Sequence, residues 1–259
     1  MGKGRVGAVS SSVLLLGNPV SRSLSPAMQN AAFAALGIDC RYVPREIDAA
    51  GLVGAVAELR ADERILGANV TIPHKEAVMA LLDELDAQAA RVGAVNTISR
   101  QGARLKGSNT DVVGFLRALA ENFPSPRCVA IIGAGGAARG VAAALQPTAD
   151  RVWVIARNLE QARRLCTDLG IERGGPTDME QMQETVARAD LVVNATPSDL
   201  PPAGWLRPDQ HLFDLRSRRS VEGRAMLLHQ GAASFEIWTG RQAPVDVMRA
   251  ALDRESVPA

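Results

Sequence analysis

A glycine-rich turn is the clearest chemical signal in the sequence. Residues 131–138 have the sequence IIGAGGAA, which matches the pattern Gly-x-Gly-x-x-Ala. In such a turn the first glycine, Gly133, permits a tight bend, and the second, Gly135, lets the backbone approach a pyrophosphate at a helix N-terminus. A strand, the motif, a helix and a second strand are predicted in that order, which favours dinucleotide binding over a purely structural turn. The predicted cofactor-binding residues of this turn are Gly133, Ala134, Gly135, Gly136 and Ala137.

The end of the next predicted strand indicates which dinucleotide is bound. Enzymes that use NAD usually carry Asp or Glu about 20 residues beyond the glycines, where the carboxylate accepts hydrogen bonds from the adenosine ribose. This sequence has Arg157 and Asn158 at the end of that strand. An arginine there can pair with a 2′-phosphate, a charge-assisted contact worth about 1.5–3 kcal/mol; the alternative is a solvated surface arginine. We therefore predict NADP as the cofactor, with Arg157 and Asn158 in its site.

The elements that must position these residues follow an α/β pattern. Apolar runs of strand length alternate with longer segments of helical period, which is typical of α/β units around a parallel sheet. In the first half of the chain we predict strands at 13–17, 40–43 and 65–72, and helices at 26–36, 52–60 and just beyond Pro73. Ser25 is a good N-cap for the first helix and Pro26 a good first helical residue.

A second series of elements begins near residue 128. We predict strands at 128–133, 151–156, 191–196 and 212–215, and helices at 137–145 and 160–169. Between the two series, residues 111–121 have helical periodicity and can bridge two domains, with Pro124 and Pro126 ending that helix. The C-terminal stretch 226–252 is predicted as helix, loop, helix. The predicted fold class is α/β with a Rossmann-type, doubly wound parallel sheet.

Composition limits the classes of partner and compartment. A length of 259 residues allows one large domain or two that share a cleft, and a formal net charge of +1 gives no reason to expect nucleic acid or a membrane as a partner. The cysteines at 40, 128 and 166 form no Cys-x-x-Cys pair, which fits a reducing compartment. No apolar run approaches the roughly 18–20 residues that cross a bilayer, and no histidine has metal-ligand spacing to a cysteine pair. We expect a cytoplasmic protein without a metal ion.

Six further motifs occur in a fixed order around the glycine turn. They are GNPVSRSLSP at 17–26, GANVTIPHK at 67–75, VGAVNT at 92–97, NTD at 109–111, NATP at 194–197 and MLLHQGA at 226–232. With these motifs the sequence resembles the shikimate dehydrogenase family over nearly its whole length. Asn-Thr-Asp alone would mean little, but the ordered set is highly specific.

The resemblance implies a reaction and a site. The reaction is the NADP-dependent, reversible reduction of 3-dehydroshikimate to shikimate, a step of chorismate and aromatic amino acid biosynthesis. Lys75 is implied as the catalytic acid/base beside Asp111, and Thr196 as part of the cofactor site. The residues implied to hold the carboxylate and the ring hydroxyls of this small-molecule substrate are Ser23, Ser25, Thr71, Asn96, Asp111 and Gln230.

The sequence around Lys75 gives this role independent support. Lys75 follows Pro73 at the start of a predicted helix, where a lysine gains nothing from the helix dipole. That local misfit favours a role in a cleft over a solvated surface charge. An ammonium beside a carbonyl that is being reduced stabilises the developing negative charge and can donate the proton.

The resemblance also implies two domains. Residues 1–111, completed by C-terminal helices at 226–259, would form a discontinuous substrate-binding catalytic domain. Residues 112–225 would form the NADP-binding Rossmann domain. The cleft between them would hold the substrate, and the enzyme would be a monomer or a homodimer.

Several positions depart from the family pattern. Ser198 and Asp199 follow the NATP motif where relatives have glycine, and the expected downstream basic residue near Arg157 is absent, with Gln161 in the chain instead. The segment after Asp214 is shorter than in relatives and lacks their tyrosine, and Ala225 stands where a glycine approaches the nicotinamide. The arginines of this segment, at 216, 218, 219 and 224, are interpreted as a solvated loop.

These departures leave two alternatives to a shikimate dehydrogenase. One is a sibling enzyme that oxidises quinate or aminoshikimate. The other is a non-catalytic ligand-binding relative. Retention of both Lys75 and Asp111 argues against the second alternative, because a binder needs no acid/base pair.

Overall fold

The computed structural model describes residues 11–123 and 125–255, and these residues form two sheets with helices on both faces. The first sheet contains β1 (Ser11–Gly17), β2 (Cys40–Glu46), β3 (Ile65–Val70), β4 (Glu84–Leu85), β5 (Thr97–Gln101) and β6 (Arg104–Ser108). Its helices are α1 (Ser25–Ala35), α2 (Leu52–Ala61), a short 3₁₀ helix (Ala77–Leu81) and α3 (Ala87–Val92). The strand order is β2-β1-β3-β5-β6-β4.

Strand β1 lies at the centre of the first parallel unit, between β2 and β3 and parallel to both. Its side chains alternate between two cores, as the period of a strand requires. Val13 and Leu15 face the core that contains α1, whereas Leu14 and Leu16 face the core that contains α2. Both faces are covered, which explains the continuous apolar run of this strand.

The second sheet holds the glycine turn. Its strands are β7 (Cys128–Ile132), β8 (Arg151–Ile155), β9 (Gly174–Thr177), β10 (Leu191–Asn194) and β11 (His211–Asp214). Its helices are α4 (Asp111–Asn122), α5 (Gly136–Leu145), α6 (Leu159–Asp168) and α7 (Met182–Arg188). All neighbouring strands are parallel, in the order β11-β10-β7-β8-β9.

This order confirms the predicted fold class. The chain proceeds outward from β7 through β8 to β9, then returns to the other side of β7 with β10 and β11. The strand order therefore reverses between β7 and β10. In doubly wound sheets ligands bind at this switch point, outside the carboxyl ends of the two strands. The glycine turn follows β7 and the NATP motif follows β10, so both motifs lie at the switch point.

The C-terminal helices return to the first sheet. They are α8 (Val221–Thr239) and α9 (Val245–Arg254). Leu228 and Phe235 of α8 and Met248 of α9 share a buried core with Val13 and Phe33. Helix α8 also packs along α4, which in turn contacts α5 of the second sheet. Helices α4 and α8 therefore connect the two halves of the molecule.

Three predicted helix starts are wrong. Ser25 is the first residue of α1 and not its N-cap: Leu24 holds that position without a side-chain cap, and Ser23 Oγ accepts a hydrogen bond from the Ser25 N–H. The last helix pair begins at Val221 instead of 226, because the Ser220 side chain caps α8 by accepting from the Gly223 N–H. Pro124, predicted to help end α4, lies outside the described residues.

The third error concerns Lys75. No α-helix starts at this residue; the chain passes through a turn, and the five-residue 3₁₀ helix begins only at Ala77. The Lys75 carbonyl accepts a hydrogen bond from the Val95 N–H at 2.8 Å, whereas the Met79 N–H, which an α-helix would direct to Lys75, donates to the Glu76 carbonyl. The argument from an unfavourable helix dipole at Lys75 therefore does not apply.

Candidate active site

Lys75 and Asp111 form the central charged pair of the molecule. Lys75 Nζ lies 2.6 Å from Asp111 Oδ2, and the two side chains are only 11% and 5% exposed. The turn after β3 presents the lysine, and the first residue of α4 presents the aspartate. Because the pair is largely removed from water, its attraction is screened far less than that of a surface pair.

Asn96 fixes the orientation of Asp111. Its side-chain Nδ2 donates to Asp111 Oδ1 at 2.8 Å and lies 2.9 Å from Thr110 Oγ1. The other end of the amide, Oδ1, accepts from the Thr110 N–H at 2.8 Å. Asn96 Nδ2 is also 3.3 Å from Gln230 Oε1 of α8. One amide therefore connects the Lys75–Asp111 pair to the C-terminal helix.

A buried polar network that the sequence did not indicate supports this arrangement. Asn69 donates from Nδ2 to the Asn96 carbonyl at 2.9 Å and to Ser234 Oγ at 3.1 Å. Tyr42, the only tyrosine of the chain, donates its hydroxyl to Asn69 Oδ1 at 2.8 Å. Burial raises the pKa of Tyr42 far above its ordinary value, so the hydroxyl remains a donor. Thr97 Oγ1 completes the network, 2.8 Å from Ser234 Oγ.

Only some residues of this network could be identified from the sequence. Asn69 and Thr97 lie inside two of the motifs, but their residue types do not distinguish them from turn-forming residues. Ser234 lies one helical turn after Gln230, on the same face of α8. Tyr42 belongs to no motif, and as a single polar residue on a predicted strand it gives no sequence signal for a role in the site.

A cavity of about 340 Å³ contains the predicted catalytic and substrate-binding side chains. Its walls include Ser23, Ser25, Thr71, Lys75, Asn96, Asp111 and Gln230. These residues come from four separate motifs of the first half of the chain and from α8. The cavity thus combines apolar walls, among them Leu15, Val70 and Met226, with short hydroxyl, amide and carboxylate groups beside the Lys75 ammonium. These groups are a donor and acceptor set suited to a small polyhydroxylated ligand.

A second cavity of about 550 Å³ follows the glycine turn. Among its walls are Gly133, Ala134, Gly135, Arg157, Asn158 and Thr196. Gly133 has φ +116°, and a Cβ on it would lie 3.1 Å from the Ala195 carbonyl oxygen, so a side chain there is strained. A Cβ on Gly135 would meet nothing within 4 Å, which leaves open space beside the start of α5 for a pyrophosphate.

Arg157 and Asn158 of the second cavity differ in whether their side chains already have hydrogen-bond partners. Arg157 is exposed and forms no ion pair with any residue in 11–123 or 125–255, so its guanidinium is free for an anion. Asn158 caps α6 by accepting from the Gln161 N–H at 3.1 Å. Asn158 thus has a structural task, and its part in cofactor binding remains a prediction.

The two cavities share a wall. Ala195, Thr196 and Pro197 line both of them. Thr196 is held in place because its N–H and Oγ1 both donate to Asn194 Oδ1, at 3.1 and 2.8 Å. Ala137 of the glycine turn lines the substrate-side cavity rather than the second one, and Gly136 packs directly against the Lys75 side chain. A ligand in the second cavity can therefore reach the Lys75–Asp111 pair.

The interpretation of the arginine segment as a solvated loop is wrong for Arg216. Its side chain is only 19% exposed, lines the cavity of the Lys75–Asp111 pair and is bound by two carboxylates, those of Asp199 and Asp214. The interpretation is also wrong for Arg224, which lies in α8 and is half-buried, whereas Arg218 and Arg219 are exposed as expected.

In residues 11–123 and 125–255 no helix is both long and apolar enough to span a bilayer. In the same residues no three His, Cys, Asp or Glu side chains are grouped so that they could hold a metal ion.

Three family models match the chain in succession. Residues 15–98 match the shikimate dehydrogenase substrate binding domain. Residues 119–204 match the shikimate/quinate 5-dehydrogenase model, and residues 223–252 match the shikimate 5′-dehydrogenase C-terminal domain. The matched segments together contain most of the residues that line the two cavities.

Individual relatives match over almost the whole chain. A shikimate dehydrogenase (NADP(+)) from Methanopyrus kandleri is 42% identical, with 95% of this chain and 96% of the relative covered. One from Moorella thermoacetica is 44% identical, with 91% and 90% covered. The solved structure of shikimate 5-dehydrogenase from Thermus thermophilus in complex with NADP(H) and shikimate superposes with a TM-score of 0.82 at 34% identity, covering 95% of this chain and 99% of that chain.

Proposed function

The chain belongs to the shikimate dehydrogenase family, and we infer from this membership that its two cavities bind NADP and shikimate. The protein is an NADP-dependent oxidoreductase that interconverts 3-dehydroshikimate and shikimate, a reaction of chorismate and aromatic amino acid biosynthesis. The observation that carries this conclusion is the buried Lys75–Asp111 pair, 2.6 Å apart, at the wall where the substrate-side cavity meets the glycine turn.

We propose the following roles in substrate binding. The hydroxyls of Ser23 and Ser25 donate to the substrate carboxylate, and the ring hydroxyls bind to Thr71, Asn96, Asp111 and Gln230. The support is that all these side chains line one cavity of about 340 Å³. Gln230 and Asn96 lie in contact at 3.3 Å, so a ring hydroxyl that replaces this contact would be bound from both sides.

We propose that Lys75 carries the proton of the reaction. Bound NADPH supplies a hydride from its nicotinamide ring. The Lys75 ammonium stabilises the negative charge that develops on the substrate carbonyl oxygen and donates the proton to it. Asp111 holds the ammonium in position, and Asn96 holds Asp111 through its second carboxylate oxygen. In the oxidative direction neutral Lys75 accepts the proton from the substrate hydroxyl.

The second cavity fits NADP by its own geometry. Open space at Gly135 and the N-terminus of α5 accommodate the pyrophosphate, and the unpaired Arg157 guanidinium is available to the 2′-phosphate. We propose that the backbone from Gly133 to Ala137, together with Thr196, lines the path of the cofactor to Lys75. Asn158 is proposed to contribute beside Arg157 while it caps α6.

We also propose a domain division, a compartment and an assembly. Residues to about Asp111, together with α8 and α9, form the substrate domain, and residues from Val112 to the start of α8 form the NADP domain. The support is that substrate-cavity side chains come from both the first sheet and α8. The enzyme is proposed to work in the cytoplasm as a monomer or homodimer.

An absorbance assay tests the function directly. The purified protein is mixed with shikimate or quinate and with NADP⁺ or NAD⁺, and reduced nicotinamide is followed. We expect turnover with shikimate and NADP⁺ to exceed that of the other three combinations. Faster turnover of quinate would favour the sibling dehydrogenase. Shikimate binding by calorimetry without any turnover would instead indicate a ligand-binding relative.

A further inference from the structure

Two loops meet beside the shared wall of the cavities. The β10 loop (residues 195–199) follows β10, and the β11 loop (residues 215–220) follows β11. Ala195, Thr196 and Pro197 of the first loop line both cavities, and Leu215, Arg216 and Ser217 of the second line the substrate-side cavity. Asp199 of the first loop departs from the family pattern, and Arg216 of the second is one of the arginines of the segment after Asp214.

Arg216 and Asp199 form an ion pair that joins the two loops. Arg216 Nη1 donates to Asp199 Oδ1 at 2.5 Å. The rest of the guanidinium is used by Asp214: Nε lies 2.9 Å from both carboxylate oxygens, and Nη2 donates to Oδ2. The Asp214 side chain is 9% exposed, whereas Asp199 is 74% exposed. Arg216 thus joins a buried carboxylate on its own loop to an exposed carboxylate on the neighbouring loop.

Each loop is also ordered internally. In the β11 loop the Asp214 carboxylate accepts from the Arg216 N–H at 3.0 Å, and Ser220 Oγ donates to the Asp214 carbonyl. In the β10 loop the Asn194 side chain bonds Thr196 and the Ser198 carbonyl. Internal bonds therefore set the shape of each loop. The bonds to Asp199, from Arg216 Nη1 at 2.5 Å and from Arg219 Nη1 at 3.4 Å, set the position of one loop against the other at their outer ends.

We propose that Arg216, acting through Asp199, is a positioning residue that holds the β10 and β11 loops together as one wall for both ligands. The inference rests on the proposed function of the two cavities. It assigns no substrate contact to Arg216, whose three guanidinium nitrogens each donate to a carboxylate. Instead, the bond keeps Ser217 on the substrate wall and Thr196 at the junction of the two ligands.

The β11 loop also reaches across to the other side of the substrate cavity. Arg218 Nε donates to the Arg22 carbonyl at 2.6 Å, and the next residue, Ser23, lines the cavity. A wall fixed by Arg216 therefore extends from the β10 loop to the loop proposed to bind the substrate carboxylate. Loosening it at Asp199 should weaken binding of both ligands.

Asp199 is the position at which to test this wall. Replacing Arg216 would leave the buried Asp214 carboxylate without its cationic partner, which destabilises folds generally. Asp199 is exposed, so its replacement leaves no buried group unpaired. The hydrogen bond from Arg216 lowers the pKa of Asp199 below its ordinary value, so the carboxylate is charged throughout the assay range.

The experiment compares Asp199→Asn with a matched control, Asp209→Asn. Asp209 is 73% exposed and pairs with Arg207, but it lines neither of the two ligand cavities. Affinities for NADP⁺ and for shikimate are measured by calorimetry, KM and kcat by absorbance, and Tm by thermal unfolding. We expect Asp199→Asn to weaken both affinities and raise both KM values about twofold to fivefold, the range of an exposed ion pair, with Tm unchanged. Asp199→Glu should restore them.

Two further measurements distinguish failure of the positioning role of Arg216 from failure of the proposed function. Because Asp199 is exposed, the difference between the wild type and Asp199→Asn should shrink as salt is raised. Affinities in Asp199→Asn equal to those of Asp209→Asn at low salt would overturn the positioning role. Absence of turnover in the wild type would refute the proposed function, while the NADP⁺ affinities of the variants would still decide the role of Arg216.

Discussion

Gly136 of the glycine turn lies directly against Lys75: a Cβ placed on Gly136 would come within 2.8 Å of Lys75 Cβ and 3.1 Å of Lys75 Cδ. The two residues belong to different sheets, since Lys75 follows β3 and Gly136 opens α5. The glycine therefore does more than permit a turn. It lets the cofactor motif and the proposed acid/base approach each other without a side chain between them.

Gly136→Ala tests this approach. The methyl group meets the base of the lysine side chain rather than its flexible end, so Lys75 or the turn must shift. We expect a clear fall in kcat, with a smaller change in Tm, measured by absorbance and thermal unfolding. Gly54→Ala in α2 is the matched control, because a Cβ there meets nothing within 4 Å. Equal kcat values in the two variants would contradict a tight contact at Lys75.

Lys75→Ala should lower turnover by about 10²–10⁴-fold, the range for loss of a positioned acid/base group. NADP⁺ affinity should hardly change, because Lys75 does not line the second cavity. Shikimate affinity should fall modestly, since one hydrogen bond contributes about 0.5–1.5 kcal/mol. Lys106→Ala, which removes a lysine paired with Glu84 at the surface, is the control. Normal turnover in a folded, NADP⁺-binding Lys75→Ala protein would refute the mechanism.

Asp111→Asn should also lower turnover, because the lysine loses its carboxylate partner at 2.6 Å. In the double variant with Lys75→Ala the loss should be smaller than the product of the two single losses. This follows if the two side chains act as one unit. The measurement is kcat/KM for the four proteins of the cycle. Multiplicative losses would show that the two residues act independently.

Arg157→Asp should shift the cofactor preference from NADP toward NAD. The free guanidinium in the second cavity would be replaced by a carboxylate that repels the 2′-phosphate. The measurement is the ratio of kcat/KM values with NADP⁺ and NAD⁺. Arg164→Asp, a change of the same charge at an exposed residue of α6, is the control. An unchanged ratio in Arg157→Asp would mean that the phosphate is held elsewhere.

Cys166 should resist alkylation under conditions that modify ordinary thiols. Burial raises its pKa from the ordinary 9.0 to about 11, so little reactive thiolate forms at pH 9 in the folded protein. Because the folded protein keeps this thiol protonated to higher pH than the unfolded chain does, Cys166 leaves the free energy of unfolding unchanged below about pH 9 and lowers it as the pH rises toward 11. Mass spectrometry after iodoacetamide treatment at pH 9 measures the labelling. Rapid labelling of Cys166 without unfolding would contradict the burial of this thiol.

Local signals in the sequence were sufficient for the fold class and for the glycine turn, whereas the catalytic and substrate-binding candidates came from the ordered motifs and the family resemblance. The conformation of the glycine turn and of the apolar strands depends on neighbours within a few positions, so the residue types in these segments are sufficient to predict it. The position of Arg157 after β8 was predicted in the same way, from its distance in sequence to the glycine turn. The error at Lys75 arose where a local rule competed with a more distant contact, because the Lys75 carbonyl accepts from the Val95 N–H and no helix starts there.

Tertiary structure alone decided how the site is held together. Asn69 and Ser234 are 165 positions apart, and Asn96 and Gln230 are 134 apart, yet both pairs are in hydrogen-bond contact. The bond between Arg216 and Asp199 likewise appears only when β10 and β11 are neighbours. Such contacts have no periodicity in the sequence, because they depend on the crossing of α8 over α4 and on strand order. The sequence determined which residues are available for chemistry, and the packing of the two sheets determined which of them meet.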